Sequence, residues 1–216
     1  MLFQSYIFIL LFFPLCLLGF WGLKRQKLLQ LWLIAFSLWF YGAASPYYLL
    51  LLLGSIAWNY AFFCAIERGI GRVTERVSGN AMERAEYGME RDSSRKRLLL
   101  GIGIAGNLAL LCFFKYFNAI SAGWSQMKGL EDPILQLALP LGISFFTFQQ
   151  IGFLADAYKG EVGACSLREY VLFVSFFPYV SSGPIVNAQE MLPQYRKIGR
   201  QHLDWAKFSG GLYLFA

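Results

Sequence analysis

Long apolar runs separated by short basic segments dominate the pattern of the chain. The first run covers residues 1–23 without a charged residue, and Lys24, Arg25 and Lys27 follow it. A cleavable signal peptide carries its positive charges ahead of the apolar core rather than behind it. The pattern therefore predicts an uncleaved first membrane span with its N-terminus outside.

The second apolar run covers residues 28–66 and is too long for a single crossing, because about 20 helical residues span the hydrocarbon core of a bilayer. The run is interrupted at Ser45-Pro46, and proline starts a helix well but does not continue one. We therefore expect two spans, residues 28–43 and 46–66.

The polar segment 67–97 is rich in both acidic and basic residues. It predicts a cytoplasmic loop that contains a short surface helix around residues 80–90. A fourth span, 98–117, follows it, and Gly101, Gly103 and Gly106 in that span favour close approach of a neighbouring helix.

Two later apolar stretches, 134–155 and 170–189, contain several helix breakers. These breakers are Pro140, Gly142, Pro178, Ser181, Ser182, Gly183 and Pro184. Broken helices at membrane depth persist only where protein or a water-filled cavity satisfies the freed backbone groups. We therefore expect a functional cavity here, beside a fifth span and a broken segment.

Basic residues are concentrated in the segments 24–27, 67–97 and 156–169, whereas the intervening segments 44–45 and 118–133 hold only Lys128. Positive charge favours the cytoplasmic side of a membrane. The basic residues after position 189 fit this orientation if the stretch 170–189 is re-entrant. Residues 190–207 then predict an interfacial amphipathic helix.

Composition agrees with a membrane protein, since 57% of the 216 residues are hydrophobic and only 15% are charged. These values exclude an ordinary soluble enzyme, a disordered tail and a disulfide scaffold. The net charge of +6 is explained by membrane topology, so we expect no nucleic-acid partner. Four Cys and one His are too few and too scattered to predict a metal site. The predicted fold is all-α and polytopic, with about five transmembrane helices, a broken or re-entrant segment and an interfacial helix.

Polar residues within apolar stretches are the candidate site residues, because burial of a polar group in lipid is costly without a partner. Asn59, Asn107, Gln149 and Gln150 are expected to face the helix cluster. Gln149 and Gln150, with Ser182 and Gly183, are the candidate lining of a substrate tunnel. The alternative for the two glutamines is ordinary hydrogen bonding between helices.

Catalytic groups are harder to assign from the sequence. Asp156, Glu161 and Glu169 are interpreted as surface charges and a helix cap, and Ser144 and Ser182 have no evident base beside them. His202 lies on the apolar face of the predicted interfacial helix without a partner. No residue is therefore predicted to be catalytic.

Several motifs resemble the membrane-bound O-acyltransferase family, in particular its alginate O-acetylation branch. The densest resemblance covers residues 139–184 and consists of Leu139-Pro140-Leu141-Gly142-Ile143-Ser144-Phe145-Phe146-Thr147-Phe148, Asp156-Ala157-Tyr158-Lys159-Gly160, Phe176-Phe177-Pro178 and Ser182-Gly183-Pro184. Phe114-Lys115-Tyr116-Phe117-Asn118 is similar to a further motif of that branch. The resemblance extends more weakly over essentially the whole chain.

This resemblance implies transfer of an acyl group, in particular acetyl, from acetyl-CoA or another thioester to hydroxyls of an exported polysaccharide. No bound cofactor is implied. It also implies a location in the cytoplasmic membrane and an extracytoplasmic acetyltransferase partner. In that family a His in a later transmembrane region is the expected catalytic residue, and no His of this sequence has that context. Family members are about twice as long, and the last apolar run, 208–216, is too short to cross a bilayer. We therefore expect residues 1–216 to be the N-terminal part of one acyltransferase domain, ending within a further span.

Two other functions also fit the sequence. Broken helices with intramembrane polar groups are also typical of transporters and flippases, although no repeat or midplane charge supports that interpretation. The third possibility is an inert fragment that acts at most as a scaffold.

Overall fold

The computed structural model describes residues 6–23, 25–77, 82–127, 137–180, 186–198 and 209–210, and all regular elements in these ranges are helices. A short π-helical segment, Phe8–Phe12, leads into α1, Phe13–Gly22. Helix α2 covers Gln26–Ala44 and α3 begins directly afterwards, at Pro46. The helix break predicted at Ser45-Pro46 is therefore confirmed.

Helices α3, Pro46–Val77, and α4, Met82–Met127, are longer than the sequence predicted. Both continue into the polar segment 67–97, which was expected to be mainly a loop. The described part of the short surface helix expected near residues 80–90 is the first part of α4, which begins at Met82. Glu, Arg and Lys are good helix formers, so a charged stretch can extend a membrane helix into water.

The apolar stretch 134–155 is interrupted where Pro140 and Gly142 predicted a break. Residues 137–140 have no regular structure, and α5, Ile143–Lys159, begins after Gly142. Gly142 and Gly160 bracket α5 with φ angles of 68° and 78°, a left-handed conformation that glycine adopts without steric cost. The charged end of α5 therefore contains Asp156, which the sequence placed in a loop.

The stretch 170–189 is also broken. Helix α6, Leu167–Ser175, is followed by the short α7, Phe177–Val180, and then by α8, Ala188–Lys197. Residues 181–185 and 199–208 lie outside the described residues, and so does most of the predicted interfacial helix beyond α8.

Contacts between distant parts of the chain define two ends of the molecule. At the basic end, the side chains of Gln26 and Gln30 donate to the carbonyl of Tyr195, and Tyr60 donates to the carbonyl of Cys165. At the tyrosine end, Tyr41 and Tyr48 donate to the carbonyls of Leu141 and Ala138, while the Asn118 side chain both donates to the Leu137 carbonyl and accepts from its N–H.

Helix α8 returns to the end at which α6 starts. The Arg196 guanidinium donates to the Glu169 carboxylate at 2.8 Å and to the Ala164 carbonyl. Glu169 is in the first turn of α6 and Arg196 is in the last turn of α8. The chain between them therefore leaves the basic end and comes back to it, as the re-entrant arrangement requires.

Three of the described helical segments are long and apolar enough to cross a membrane: Gln26–Ala44, Pro46–Glu67 and Ser94–Trp124. The segment Phe8–Gly22 is apolar but shorter, and α5 has 17 residues. The all-α polytopic membrane fold is confirmed. Two of the five predicted spans correspond to these shorter helices.

An aromatic cluster joins the N-terminal helices to the broken segment. The rings of Phe8, Phe12 and Phe40 surround the ring of Phe177, with centroid separations from 5.3 to 6.1 Å. Ring pairs at such distances contribute about 0.5–1.5 kcal/mol beyond their burial. The cluster fixes the position of α7 against α2.

Candidate functional site

Gln150 is the centre of a buried hydrogen-bond chain that links three helices. Its Nε2 atom donates to Ser55 Oγ on α3, and the Tyr170 hydroxyl on α6 donates to its Oε1 atom, both at 3.2 Å. The Ser55 hydroxyl in turn donates to the carbonyl of Leu52. Gln150 is fully buried. The side chain thus holds α5 in a fixed position between α3 and α6.

Gln149 forms a hydrogen bond to a backbone carbonyl that the break after α6 leaves without a helical partner. The carbonyl of Phe173 lies in the last turn of α6, where helices leave carbonyl groups without intrahelical partners. Gln149 Nε2 donates to this oxygen at 3.0 Å. The N–H of Phe177, beyond the break, donates to Ser37 Oγ at 3.3 Å. Protein side chains therefore satisfy both groups, as the sequence predicted for a broken helix.

A cavity of about 230 Å³ lies beside the break after α6. One wall is a stripe of α5 formed by Gln149, Gly152, Phe153 and Asp156. These positions are spaced i, i+3, i+4 and i+7, so they share one face of the helix. The rest of the lining is Phe173 and the segment before and at the start of α8, which comprises Val186, Asn187 and Ala188.

Asp156 lines the cavity, although the sequence pattern predicted only a surface charge at this position. Burial raises the pKa of Asp156 above its usual range, and the neighbouring Glu161 carboxylate adds to the rise, whereas Lys159 partly lowers it. Asp156 therefore presents an acidic group to the cavity near the basic end. The only available signal was the continuation of the helical spacing from Gln149, since Asp156 follows at i+7.

Glu169 has the capping role that the sequence indicated. Ser166 and Glu169 form a reciprocal capping box at the start of α6. Burial would raise the pKa of Glu169, but hydrogen bonds from Arg196 and Ser166 outweigh it and hold that pKa below its ordinary value. The nearby Glu161 carboxylate accepts a hydrogen bond from Gln189 at 2.8 Å. These contacts attach α8 to the end of the molecule that bears the cavity.

Asn59 and Asn107 face the helix cluster, as predicted. Their side-chain amides bond reciprocally between α3 and α4, at 3.0 and 2.6 Å. They contribute to a second cavity of about 390 Å³, together with Leu51, Gly54, Ser55, Trp58, Gly106 and Leu110. This cavity is mainly apolar, because the two amides satisfy one another and the backbone.

The glycines of α4 differ in their packing. A Cβ atom on Gly103 would lie 2.9 Å from Leu154, and one on Gly106 would lie 2.9 Å from Trp58. Close approach is therefore confirmed at these two positions. A Cβ atom on Gly101 would meet no atom within 4 Å, so that glycine is not needed for packing.

The four predicted tunnel residues have different locations. Gln149 lines the smaller cavity, whereas Gln150 lies behind it in the hydrogen-bond chain. Ser182 and Gly183 lie outside the described residues, as does His202. Binding of substrate by any of them stays a prediction. Among the residues that the structure does describe, no three His, Cys, Asp or Glu side chains are grouped to hold a metal ion.

The fold is that of a polytopic helical membrane protein with a cavity beside a broken helix. Sequence comparison shows which known proteins the chain is similar to. The chain is 34% identical to the peptidoglycan O-acetyltransferase of Helicobacter pylori, with all of this chain aligned to 42% of that protein. It is 32% identical to the probable alginate O-acetylase AlgI of Pseudomonas putida, with all of this chain aligned to 40% of the relative. A teichoic acid D-alanyltransferase of Lacticaseibacillus rhamnosus matches 27% of the chain at 31% identity. No protein-family model and no solved structure matches the chain.

The whole length of the chain aligns with the peptidoglycan O-acetyltransferase and with the alginate O-acetylase, and its motifs resemble the same group. The comparisons therefore support the resemblance of this chain to part of a membrane-bound O-acyltransferase. It spans about two fifths of the length of the curated relatives that it matches.

Proposed function

We propose that this chain forms part of a membrane enzyme that transfers acetyl from a thioester donor to hydroxyl groups of an exported polysaccharide. The observation that carries the proposal is the alignment of the entire chain with a peptidoglycan O-acetyltransferase and several alginate O-acetylases. The cavity beside the broken helix adds a place where a ligand can bind within the membrane domain.

The proposed orientation places the basic end in the cytoplasm. Arg25, Lys27, Lys159, Arg168 and Lys197 lie in segments at that end, and positive residues favour the cytoplasmic side. The N-terminus is then outside, and the membrane is the cytoplasmic membrane. The cavity lies on the side where acetyl-CoA is made, which supports a role in receiving the donor rather than the polymer.

The reaction has chemical demands that the described residues meet only in part. An acceptor hydroxyl attacks the thioester carbon, its proton passes to a base, and the thiolate leaves. Gln149 and Asp156 offer hydrogen-bonding atoms that bind and orient a ligand. The resemblance assigns the base to a His in a later transmembrane region, and we assign that role to no residue of this sequence. The acceptor is a polysaccharide of the peptidoglycan or alginate kind, reached with an extracytoplasmic acetyltransferase partner.

A transfer assay tests this function. Membranes containing the complete enzyme of which this chain forms part are supplied with acetyl-CoA labelled in its acetyl group, and label that mild alkali releases from polysaccharide is measured. Gly152→Leu fills the cavity and is expected to reduce transfer at least tenfold. Gly163→Leu, at an exposed loop position with no atom within 4 Å of the added Cβ, is the matched control and is expected to retain transfer. Alkali-labile label no higher than in membranes lacking the protein would contradict the proposal.

A further inference from the structure

The larger cavity, of about 390 Å³ between α3 and α4, lies at the depth of the bilayer centre. We call it the α3–α4 cavity. Of its lining residues, Trp58 is near the middle of the span Pro46–Glu67, and Leu110 is near the middle of the span Ser94–Trp124. The hydrocarbon core of a bilayer contains neither water nor lipid headgroups. A molecule that enters the cavity from the membrane therefore does so as hydrocarbon.

Two glycines shape the opening of the α3–α4 cavity. A Cβ atom on Gly54 would meet no atom within 4 Å, so the space in front of this residue is empty. On the opposite helix, a Cβ atom on Gly106 would lie only 2.9 Å from the indole nitrogen of Trp58. The Trp58 ring therefore packs directly against the backbone of α4 and forms one wall of the cavity.

Large apolar side chains surround this opening, each spaced four or seven residues from one of the two glycines and therefore on the same helix face. These side chains are Leu50, Trp58, Ile102 and Phe113. They are 44–69% exposed. Contacts between membrane helices are enriched in small residues, whereas exposed bulky apolar side chains suit contact with lipid. The opening is therefore continuous with the lipid-facing surface of the molecule.

The polar side chains that line the cavity are already bonded within the protein. The Ser55 hydroxyl donates to the Leu52 carbonyl and accepts from Gln150. The side-chain amides of Asn59 and Asn107 bond to one another. Burial of a polar group without a hydrogen bond is costly, so these satisfied side chains give a polar ligand little to gain. A hydrocarbon chain has no such cost.

We propose that the α3–α4 cavity binds the end of a hydrocarbon chain of a membrane lipid, between Gly54 and Trp58. The volume of the cavity lies within the range of about 300–1,000 Å³ that is typical of ligand sites. The chain would restore the dispersion contacts that the wall of an empty cavity lacks. Because the headgroup remains at the membrane surface, the site selects lipids by chain length and not by headgroup. The proposal uses only the membrane fold and does not depend on the proposed function.

Photolabelling of the complete enzyme of which this chain forms part tests the proposal. The enzyme is placed in bilayers of dioleoyl phosphatidylcholine that contain an analogue with a diazirine near the methyl end of one chain. It is then extracted into detergent, washed free of bulk lipid and irradiated, so that adducts report retained lipid. Peptide mass spectrometry is expected to locate adducts at Leu51, Trp58 and Leu110. An analogue with the diazirine beside the ester is expected to give none there.

The absence of cavity adducts from the washed enzyme would overturn the proposal. If adducts form in the cavity only before the wash, the cavity has merely contacted bulk lipid. If they form at Leu50 and Phe113 but never in the cavity, another part of the complete enzyme covers it. Both results contradict a bound chain.

A matched pair of glycine substitutions tests the location of the site. Gly54→Leu fills the empty space in front of Gly54 and is expected to reduce the cavity adducts at least tenfold. Gly101→Leu is the control, because Gly101 also has no atom within 4 Å of an added Cβ but does not line the cavity. It is expected to retain the adducts. Equal labelling of the two variants would refute the assignment. The comparison of the two analogues uses the unsubstituted enzyme, so it decides the matter even where Gly54→Leu does not fold.

Competition between lipids tests the selectivity. Unlabelled dioleoyl phosphatidylglycerol and dioleoyl phosphatidylcholine are expected to reduce the cavity adducts equally. Didecanoyl phosphatidylcholine at the same mole fraction is expected to compete at least fivefold less well, because its chains end short of the bilayer centre. A preference for one headgroup, or equal competition by the short-chain lipid, would contradict recognition of the chain end.

Discussion

Two regions of the molecule solve the problem of polar groups in a membrane domain in different ways. Helices α3 and α4 are long and unbroken, so their backbones are bonded internally, and the reciprocal amide pair of Asn59 and Asn107 joins them. In the layer from α5 to α8, helices stop and start within the apolar stretches. There, side chains bond to the backbone groups that the breaks set free, as Gln149 and Ser37 do.

The difference shows what each region can support. The unbroken pair lines an open, mainly apolar cavity whose polar side chains already have hydrogen-bond partners within the protein. The broken layer leaves acceptor atoms exposed to its cavity, because a side chain that uses its donor on the backbone keeps its acceptor free. Recognition of a polar ligand is therefore expected in the broken layer. Gln150 connects the two regions, so its loss is expected to have the largest effect on stability.

Gln150→Leu is expected to destabilise the protein by about 2–3 kcal/mol. The substitution leaves the buried hydroxyl of Tyr170 without its acceptor and removes the bond to Ser55, and an unsatisfied buried polar group costs about 1–3 kcal/mol. The measurement is the free energy of unfolding in mixed micelles titrated with a denaturing detergent. Tyr170→Phe removes only one of the two bonds and leaves the Gln150 amide oxygen without its donor, so this control is expected to cost about 1–2 kcal/mol, less than Gln150→Leu. Equal losses for the two variants would contradict the linking role.

Asn59→Leu is expected to cost about 1–2 kcal/mol, because it leaves the buried Asn107 amide with fewer partners. Hydrogen bonds between membrane helices average about 0.6 kcal/mol, so the expected cost lies above that of losing the bond alone. The double variant Asn59→Leu/Asn107→Leu is expected to be less destabilised than the sum of the single variants. A double-mutant cycle measures this coupling. Strict additivity would show that the reciprocal pair is not an energetic unit.

The smallest effect is expected at the contact between α8 and α6, and it depends on pH. The pKa of Glu169 is lowered in the folded protein, so its ion pair stabilises α8 above the ordinary glutamate pKa. That contribution is lost as the pH falls through the lowered value. Since the pair is partly exposed, the loss is expected to be under about 1 kcal/mol. Hydrogen exchange of the α8 amides across this pH range measures it.

A second substitution separates the titration of Glu169 from that of Asp156. The pKa of Asp156 is raised, so protonation of Asp156 favours the folded state as the pH falls and opposes the effect of Glu169. Measurements in an Asp156→Asn background remove that contribution. Glu169→Gln in the same background is expected to abolish the pH dependence of exchange in α8. Persistence of the dependence in that variant would exclude Glu169 as its source.

The lengths of the charge-free apolar runs and the positions of the prolines were sufficient to predict much of the fold. The boundary between α2 and α3 and the break before α5 follow from Pro46, Pro140 and Gly142. Hydropathy did not predict how far α3 and α4 extend, because charged residues in a solvated helix have the same polarity as those in a loop. Helix propensity, rather than hydropathy, carried that information.

The candidate site was predicted only in part, because adjacent residues on a helix face different directions. Gln149 and Gln150 were treated as one pair, yet about 100° separates neighbouring side chains around a helix, and only Gln149 lines the smaller cavity. Asp156 was missed because the apolar run stops at residue 155 while the helix continues. The bond between Arg196 and Glu169 joins positions that are distant in the chain, and no local pattern indicates it.

The amide pair between α3 and α4 has a consequence for how this protein changes over generations. Each asparagine is tolerated in the interior because the other is present, so replacement of one creates pressure to replace the second. Positions 59 and 107 are therefore expected to covary among relatives, with lineages that carry two amides and lineages that carry two apolar residues, and few intermediates between them.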